Sequence, residues 1–392
     1  VVDELRRLGE RLQGKVLHNV NSTFVGGGVA EILTRMVPLL NQLGVEARWS
    51  IIKGSDPFYQ VTKKFHNALH NRPEKITTAD FDLFREVTEL NLRELKLEGD
   101  YFYIHDPQPA GLIEKRREWG GRWAWRCHID VSNPNPQVWD FLQPYVNRYD
   151  AAVFSAPAFA RTLPIPQYLI SPSIDPLSDK NRDLSKEQVD EVMARYGIPR
   201  NKPVITQVSR FDYLKDPVGV IQAFEMVRKS IDCRLVFAGG TASDDPESGQ
   251  VLAEVQERAH GNPDIHVLLV PPNSDLDINA LQRGSDIIIQ KSVREGFGLT
   301  VSEALWKSKP VVATAVGGIT LQVKNKVTGL LSYGIEGAAY DLRQLLSNPG
   351  YARRLGENGR EHVRQNFLIT RHLRDYLLLF LAIDHPGDMI QL

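Results

Sequence analysis

Two basic and two acidic side chains carry the clearest chemistry in this chain. Arg210 and Lys215 stand five apart in Arg210-Phe-Asp-Tyr-Leu-Lys215-Asp216-Pro217, and Glu295 and Glu303 bracket Gly296-Phe297-Gly298-Leu299. The apolar run Ile287-Ile-Ile-Gln-Lys-Ser292 reads as a buried strand, so the glycines form a turn into a helix whose first amides, those of Gly296 to Leu299, can bind an anion or a sugar hydroxyl. A forked guanidinium and a compact ammonium beside a helix start, which Pro217 marks, suit a diphosphate. Preorganised donors of this kind stabilise the charge that builds on a departing oxygen. The same residues have a purely structural account. Both glutamates then favour a helix dipole, and Arg210 and Lys215 pair with Asp212 and Asp216 at the surface.

A second group lies upstream. Gly26, Gly27 and Gly28 follow the strand-like Lys15–Val20 and precede a helical pattern from Val29 to Leu43. Three glycines let the backbone approach a ligand and turn N–H groups towards a phosphate. The spacing is not G-x-G-x-x-G, so a dinucleotide fingerprint is not supported. Tyr101-Phe-Tyr-Ile delivers His105 and Asp106 at a strand end, and Trp123-Ala-Trp delivers Arg126, His128 and Asp130. In open α/β sheets ligands sit at that end. Two alternatives stand beside this reading: a flexible glycine loop with no ligand, and polar residues that only cap the next loop or helix.

The elements that must position these groups alternate strand and helix through both halves, which predicts two doubly wound α/β units. Pro172-Ser-Ile-Asp-Pro176 and the polar Leu177–Arg182 break the pattern and predict the domain boundary. The final stretch from Thr370 to Ile383 has Leu373, Tyr376, Leu377, Phe380 and Leu381 at helical spacing and must bury that face.

At 392 residues, about two domains are expected. With 42% hydrophobic and 24% charged residues the chain is an ordinary soluble globular protein. A net charge of −1 argues against nucleic acid and anionic membrane surfaces as partners. Cys127 and Cys233 are far apart in apolar runs and read as buried free thiols. With no long apolar span and no charged-then-apolar leader, the expected compartment is the cytoplasm. Asp244-Asp245 and Asp275-Leu-Asp277 invite a divalent-ion reading, but both precede helices, where aspartate caps, so no metal is expected to be required. C-x-x-C, H-E-x-x-H and G-x-S-x-G do not occur, which leaves zinc and serine hydrolase readings without their residues.

The spacing E-x7-E, filled as E-GFGLTVS-E, resembles the signature of retaining GT-B glycosyltransferases, in the branch of the glycogen, sucrose and trehalose synthases. The phrases R-F-D-Y-L-K-D-P, T-A-S-D-D-P-E, I-N-A-L-Q-R and K-S-V-R-E-G-F-G-L-T-V-S-E-A look like the trehalose glycosyltransferring synthases. The likeness runs over almost the whole chain. It implies two Rossmann-like domains facing a cleft: 1–172 on the acceptor side, with 368–392 crossing back onto it, and 183–367 binding a nucleotide sugar. By the same resemblance Arg210 and Lys215 hold the diphosphate, Glu303 the ribose hydroxyls, and Glu295 with the 296–299 amides the donor sugar. His128 would lie near the anomeric centre, Asp106 on the acceptor's hydroxyls, and Gly26–Gly28 over the diphosphate. His105, Arg126 and Asp130 would complete the polar floor.

The activity so implied is transfer of glucose from ADP- or UDP-glucose to free glucose, giving α,α-trehalose with retention. No cofactor is required. The partners are the nucleotide sugar and glucose, with a homodimer left open. Four rivals stay open. A trehalose phosphorylase would use glucose 1-phosphate, and a trehalose-6-phosphate or sucrose-type synthase could draw on Arg116, Arg117, Arg122 and Arg126 for an acceptor phosphate. The others are a nucleotide-sugar 2-epimerase and a non-catalytic sensor.

Overall fold

A computed structural model describes residues 1–24, 27–240, 248–271 and 274–387. Gly26 and the T-A-S-D-D-P-E phrase with Asp244 and Asp245 lie outside the described residues. The chain divides into two compact units, Val1–Ser173 with Ile369–Leu392, and Ile174–Leu368.

In the first unit six parallel strands, β1 (Val16–Asn21), β2 (Glu46–Ile51), β3 (Tyr101–His105), β4 (Arg122–Cys127), β5 (Ala151–Phe154) and β6 (Gln167–Leu169), run in the order β2-β1-β3-β4-β5-β6. Strands buried on both faces need apolar runs rather than alternation, as in Tyr101-Phe-Tyr-Ile. On one face Leu17, Tyr101 and Tyr103 meet the helices Val2–Arg11, Gly27–Gln42 and Ile369–Asp384 through Leu8, Met36, Tyr376 and Phe380. The last of these helices is the amphipathic tail, packed here on the first unit. The helices Asp56–Leu69, Thr78–Glu94 and Pro136–Val146 join through the rings of Phe65, Phe84 and Phe141.

The second unit repeats the plan with β7 (Val204–Val208), β8 (Arg234–Gly239), β9 (Ile265–Leu269), β10 (Ile287–Gln290), β11 (Val311–Thr314) and β12 (Leu330–Ser332), in the order β12-β11-β10-β7-β8-β9. Ile289 packs into one core and Ile288 into another, the period-two signature of a sheet covered on both faces. Strand order reverses between β1 and β3 in the first unit and between β7 and β10 in the second. The crevices beyond those carboxyl ends are where such sheets bind ligands.

Two of the longer helices escaped the sequence pattern. Lys186–Arg195 fully buries only Val189 and Met193, and is started by a Ser185–Gln188 capping box. Pro349–Asn366 buries Ala352, Leu355, Gly356, Gly359 and Val363, so only Leu355 and Val363 of its buried positions carry a large apolar side chain and the stripe is weak. A Cβ on Gly356 would stand 2.1 Å from the Ser308 carbonyl, so the stripe is small because the backbones touch. From Ile174 onward the polar crossing belongs to the second unit, where Ile174 bridges Leu368.

Candidate functional site

In the second unit β7 leads into Arg210 and a 3-10 turn at Tyr213–Lys215, capped by Asp212, whose Oδ1 accepts from Leu214 N at 2.7 Å. Asp216 adopts a left-handed φ of 47° and caps the helix Pro217–Arg228, accepting from Gly219 N at 3.0 Å. The loop after β10 lies against this turn: Val293 N donates to Leu214 O at 2.8 Å, and Lys291 pairs with Asp216. Lys215 Nζ reaches Glu295 Oε2 at 2.5 Å, and Ser292 Oγ donates to the same oxygen at 3.1 Å. The surface pairing of Lys215 with Asp212 or Asp216 is therefore not what forms. Arg210 lies 4.0 Å from Asp212 with its side chain 41% exposed. The switch-point loops thus join into one assembly that presents Arg210, Lys215 and Glu295.

Gly298, at φ 84°, caps the helix Leu299–Trp306, and a Cβ on Gly318 would stand 2.6 Å from Gly296 O and 2.7 Å from Phe297 Cα. Glycine at 318 is thus required for that close approach. Phe297 is buried against Phe367, and its carbonyl accepts from Gln322 Nε2 at 2.5 Å, so its side chain and carbonyl serve the fold. Glu303 is buried in the same helix with Lys180 Nζ 3.9 Å from its Oε1. Asp275 and Asp277 do not cap. Asp277 accepts from Tyr196 Oη at 2.7 Å and pairs with Arg195, while Asp275 lies 3.7 Å from Lys180.

In the first unit the ends of β1, β3 and β4 converge. His105 Nδ1 lies 3.1 Å from His128 Nε2, and His105 Nε2 lies 3.2 Å from Asn19 Oδ1. Asp106, at φ 68°, accepts from His128 N at 2.7 Å, so it fixes the neighbouring strand end rather than capping its own loop. Asp130 does act locally, accepting from Ser132 N at 3.0 Å. Arg126 is fully buried. Its Nη2 donates to Ser155 Oγ at 3.1 Å, while Nε and Nη1 have no hydrogen-bond partner among the described residues. Gly27 and Gly28 form the first turn of their helix, two residues earlier than the sequence pattern places it.

Burial sets the protonation here. It lowers His105 to about 3, with the Arg126 charge adding to the effect, and holds His128 and His372 well below the ordinary histidine value. Burial raises Asp106 to about 7 against the opposing hydrogen bond from His128 and the Arg126 charge. A histidine kept neutral in the fold contributes stability that is present above its unfolded pKa and is lost as pH falls below it. Asp106 works in the other direction, since its folded form takes up a proton as pH falls through about 7. With three histidines against one carboxyl, the melting temperature should fall as pH is lowered from about 7 to about 5. His372→Gln, at a ring held 2.9 Å from Ser173 Oγ, should lessen that fall; an unchanged melting profile against pH would count against a neutral buried His372.

Sequence reasoning passed over Asn19, Lys180, Lys291, Ser292 and Gln322. Lys291 and Ser292 directly precede the Glu295 motif, and Asn19 lies near the end of β1, so position alone could have flagged these three. Lys180 and Gln322 carry no local signal.

Residues 188–362 match the model of glycosyl transferases group 1, and residues 19–161 match the model of the trehalose synthase N-terminal domain. A solved α,α-trehalose-phosphate synthase (UDP-forming) from Burkholderia vietnamiensis has the same fold, with a TM-score of 0.75 at 16% identity over 95% of this chain and 99% of that one. The class is therefore a GT-B glycosyltransferase. Trehalose synthase from Rubrobacter xylanophilus is 44% identical over 96% of this chain and 92% of its own, and that from Pyrococcus horikoshii is 41% identical with the same coverage. The chain belongs to the trehalose synthase family of these glycosyltransferases. None of its described helices is long and apolar enough to cross a membrane.

Proposed function

We propose that the protein moves glucose from a nucleoside diphosphate glucose, ADP- or UDP-glucose, to free glucose, forming α,α-trehalose with retention. The observation that carries this reading is the assembly at the β7/β10 switch point, where Arg210 and the Lys215–Glu295 pair stand with a glycine-started helix. Two cations and helix-start amides are the donors that a departing diphosphate requires. Arg210 and Lys215 bind it, the 296–299 amides and Glu295 hold the glucosyl group, and Glu303 takes the ribose hydroxyls. On the first unit His128 and Asp106 serve the sugars, with His105, Arg126 and Asp130 behind them.

In the reaction the bond from the anomeric carbon to the diphosphate oxygen breaks. The acceptor hydroxyl forms the new glycosidic bond on the same face, and its proton passes to the departing phosphate oxygen. Lys215 and Arg210 neutralise the charge that appears there, so no metal or other cofactor enters the reading. The neutral His128 ring can donate or accept one hydrogen bond but adds no charge beside the anomeric carbon.

Incubating the purified protein with ADP-glucose or UDP-glucose, with and without glucose, tests the proposal. Trehalose and free nucleoside diphosphate are expected only when glucose is present. Trehalose made from glucose 1-phosphate without nucleotide would overturn the donor. Turnover only with a phosphorylated sugar would overturn the acceptor.

A further inference from the structure

The segment from Asp175 to Asp183 has the composition of a linker, and a segment that only links is ordinarily solvated. Here it is built into the second unit. Asp175 Oδ1 accepts from Leu177 N at 2.9 Å, and its carbonyl accepts from Ser178 Oγ at 2.9 Å and Asn181 Nδ2 at 3.0 Å. From the helix Asp275–Gly284, Asn279 Nδ2 donates to the carbonyls of Asp179 and Arg182, both at 2.8 Å, and Arg283 Nη2 donates to Arg182 O at 3.1 Å. Asn279 and Asn181 are buried, so these bonds are made out of water and hold the segment in one path.

That path leads to Glu303. Lys307, one turn further along the chain, donates through Nζ to Asn181 Oδ1 at 2.9 Å and to the Glu303 carbonyl at 3.1 Å, tying the segment to the turn that carries the glutamate. Lys180, the residue before Asn181, brings Nζ to 3.9 Å from Glu303 Oε1 and 3.7 Å from Asp275 Oδ1, with its side chain 18% exposed. An ionised carboxylate is acceptor-only, which is what a pair of vicinal hydroxyls requires, and a neighbouring ammonium favours that charged form. Hydrogen bonds to a charged group are also stronger than those between neutral ones.

We infer that the 175–183 segment is part of the nucleoside end of the donor site, and that Lys180 is a positioning residue holding the Glu303 carboxylate for the ribose hydroxyls. The inference rests on the donor reading above and extends the site from the two switch-point loops to a stretch with no motif of its own. Lys180 acts on the ribose through Glu303, while Arg210 and Lys215 act on the diphosphate. Loss of Lys180 should therefore weaken the protein's hold on the sugar ring of the nucleotide and leave its hold on the phosphates.

The experiment measures binding of ADP or UDP, whichever the wild type prefers, and of its 2′-deoxy and 3′-deoxy forms, by calorimetry, together with donor KM and kcat. Lys180→Met is expected to weaken the ribonucleotide by about tenfold, the scale of one hydrogen bond to a charged group. The deoxy forms should weaken much less, so that the preference for ribose narrows, donor KM rises and kcat stays near wild type. Lys180→Arg should restore most of the preference. The pinning contacts of Asn181, Asn279 and Arg283 do not involve the Lys180 side chain, so the variant should fold. Equal weakening of all three ligands would assign Lys180 a structural role and overturn the inference, as would an unchanged ribose preference. A wild type that bound no nucleoside diphosphate would overturn the donor reading itself, a result separable from either.

Discussion

Replacing Lys215 by alanine is expected to lower kcat/KM for trehalose formation by about a hundred- to a thousandfold, the loss typical when one preorganised charge-stabilising donor is removed. The argument is geometric. Nζ lies 2.5 Å from Glu295 Oε2 on a turn held by Gln207, whose Nε2 donates to the Lys215 carbonyl at 2.8 Å, so the ammonium is in place before any ligand arrives. The variant also leaves Glu295 without its ammonium partner, at a side chain only 10% exposed, which should cost on the order of 1–3 kcal/mol of stability. Arg210→Ala should show a comparable loss of turnover with less effect on melting, because Arg210 is 41% exposed and its Asp212 contact is long. Steady-state kinetics and thermal unfolding of both variants separate the two effects. A Lys215→Ala enzyme that turned over near the wild-type rate would show that the ammonium does not serve the diphosphate.

The largest effect on stability is expected at Gly239. This residue ends β8 where that strand passes the start of the Arg210 loop, and a Cβ there would lie 1.8 Å from the Ser209 carbonyl oxygen. No rotamer relieves that overlap, since the backbone fixes where the Cβ stands and the oxygen belongs to the backbone. The β7/β8 pairing, in which Ser209 N donates to Ala238 O at 3.1 Å, would have to open. Gly239→Ala should therefore destabilise the second unit by about 3 kcal/mol or more, the range of overpacking that backbone must absorb. Activity should fall as well, because the displaced carbonyl belongs to the residue before Arg210. Gly249→Ala is the control. A Cβ at that helical position meets nothing within 4 Å, and alanine favours a helix over glycine, so the variant should melt at or slightly above the wild type. Equal melting of Gly239→Ala and wild type would mean that the two strand ends do not approach this closely.

Much of the fold was legible because its signals are local. Apolar runs such as Ile287-Ile-Ile mark strands buried on both faces, and Pro217 marks a helix start. The tail from Thr370 shows its apolar stripe within four turns. The helices Lys186–Arg195 and Pro349–Asn366 were not legible, since each fully buries only two large apolar side chains, Val189 and Met193 in one and Leu355 and Val363 in the other, the rest of the second helix's buried face being alanine and glycine. A hydrophobic period cannot register contacts made by residues without large side chains. The aspartates at 275 and 277 were misread because a capping preference is a local tendency, and here distant partners, Lys180, Arg195 and Tyr196, override it.

For the candidate site, the sequence by itself determined which residue types stand at the strand ends and helix starts. Strand period, turn glycines and helix-start prolines all act over about ten residues or fewer. Only the tertiary structure decided which of those groups meet. Lys215 and Glu295 are 80 residues apart, and His105 and Asn19 are 86 apart, brought together because parallel strands need long crossovers and because strand order reverses at the switch points. The pairing of Lys180 with Glu303 and the full burial of Arg126 belong to the same level. Each depends on the packing of elements far apart in the chain, and no short stretch of sequence contains that packing.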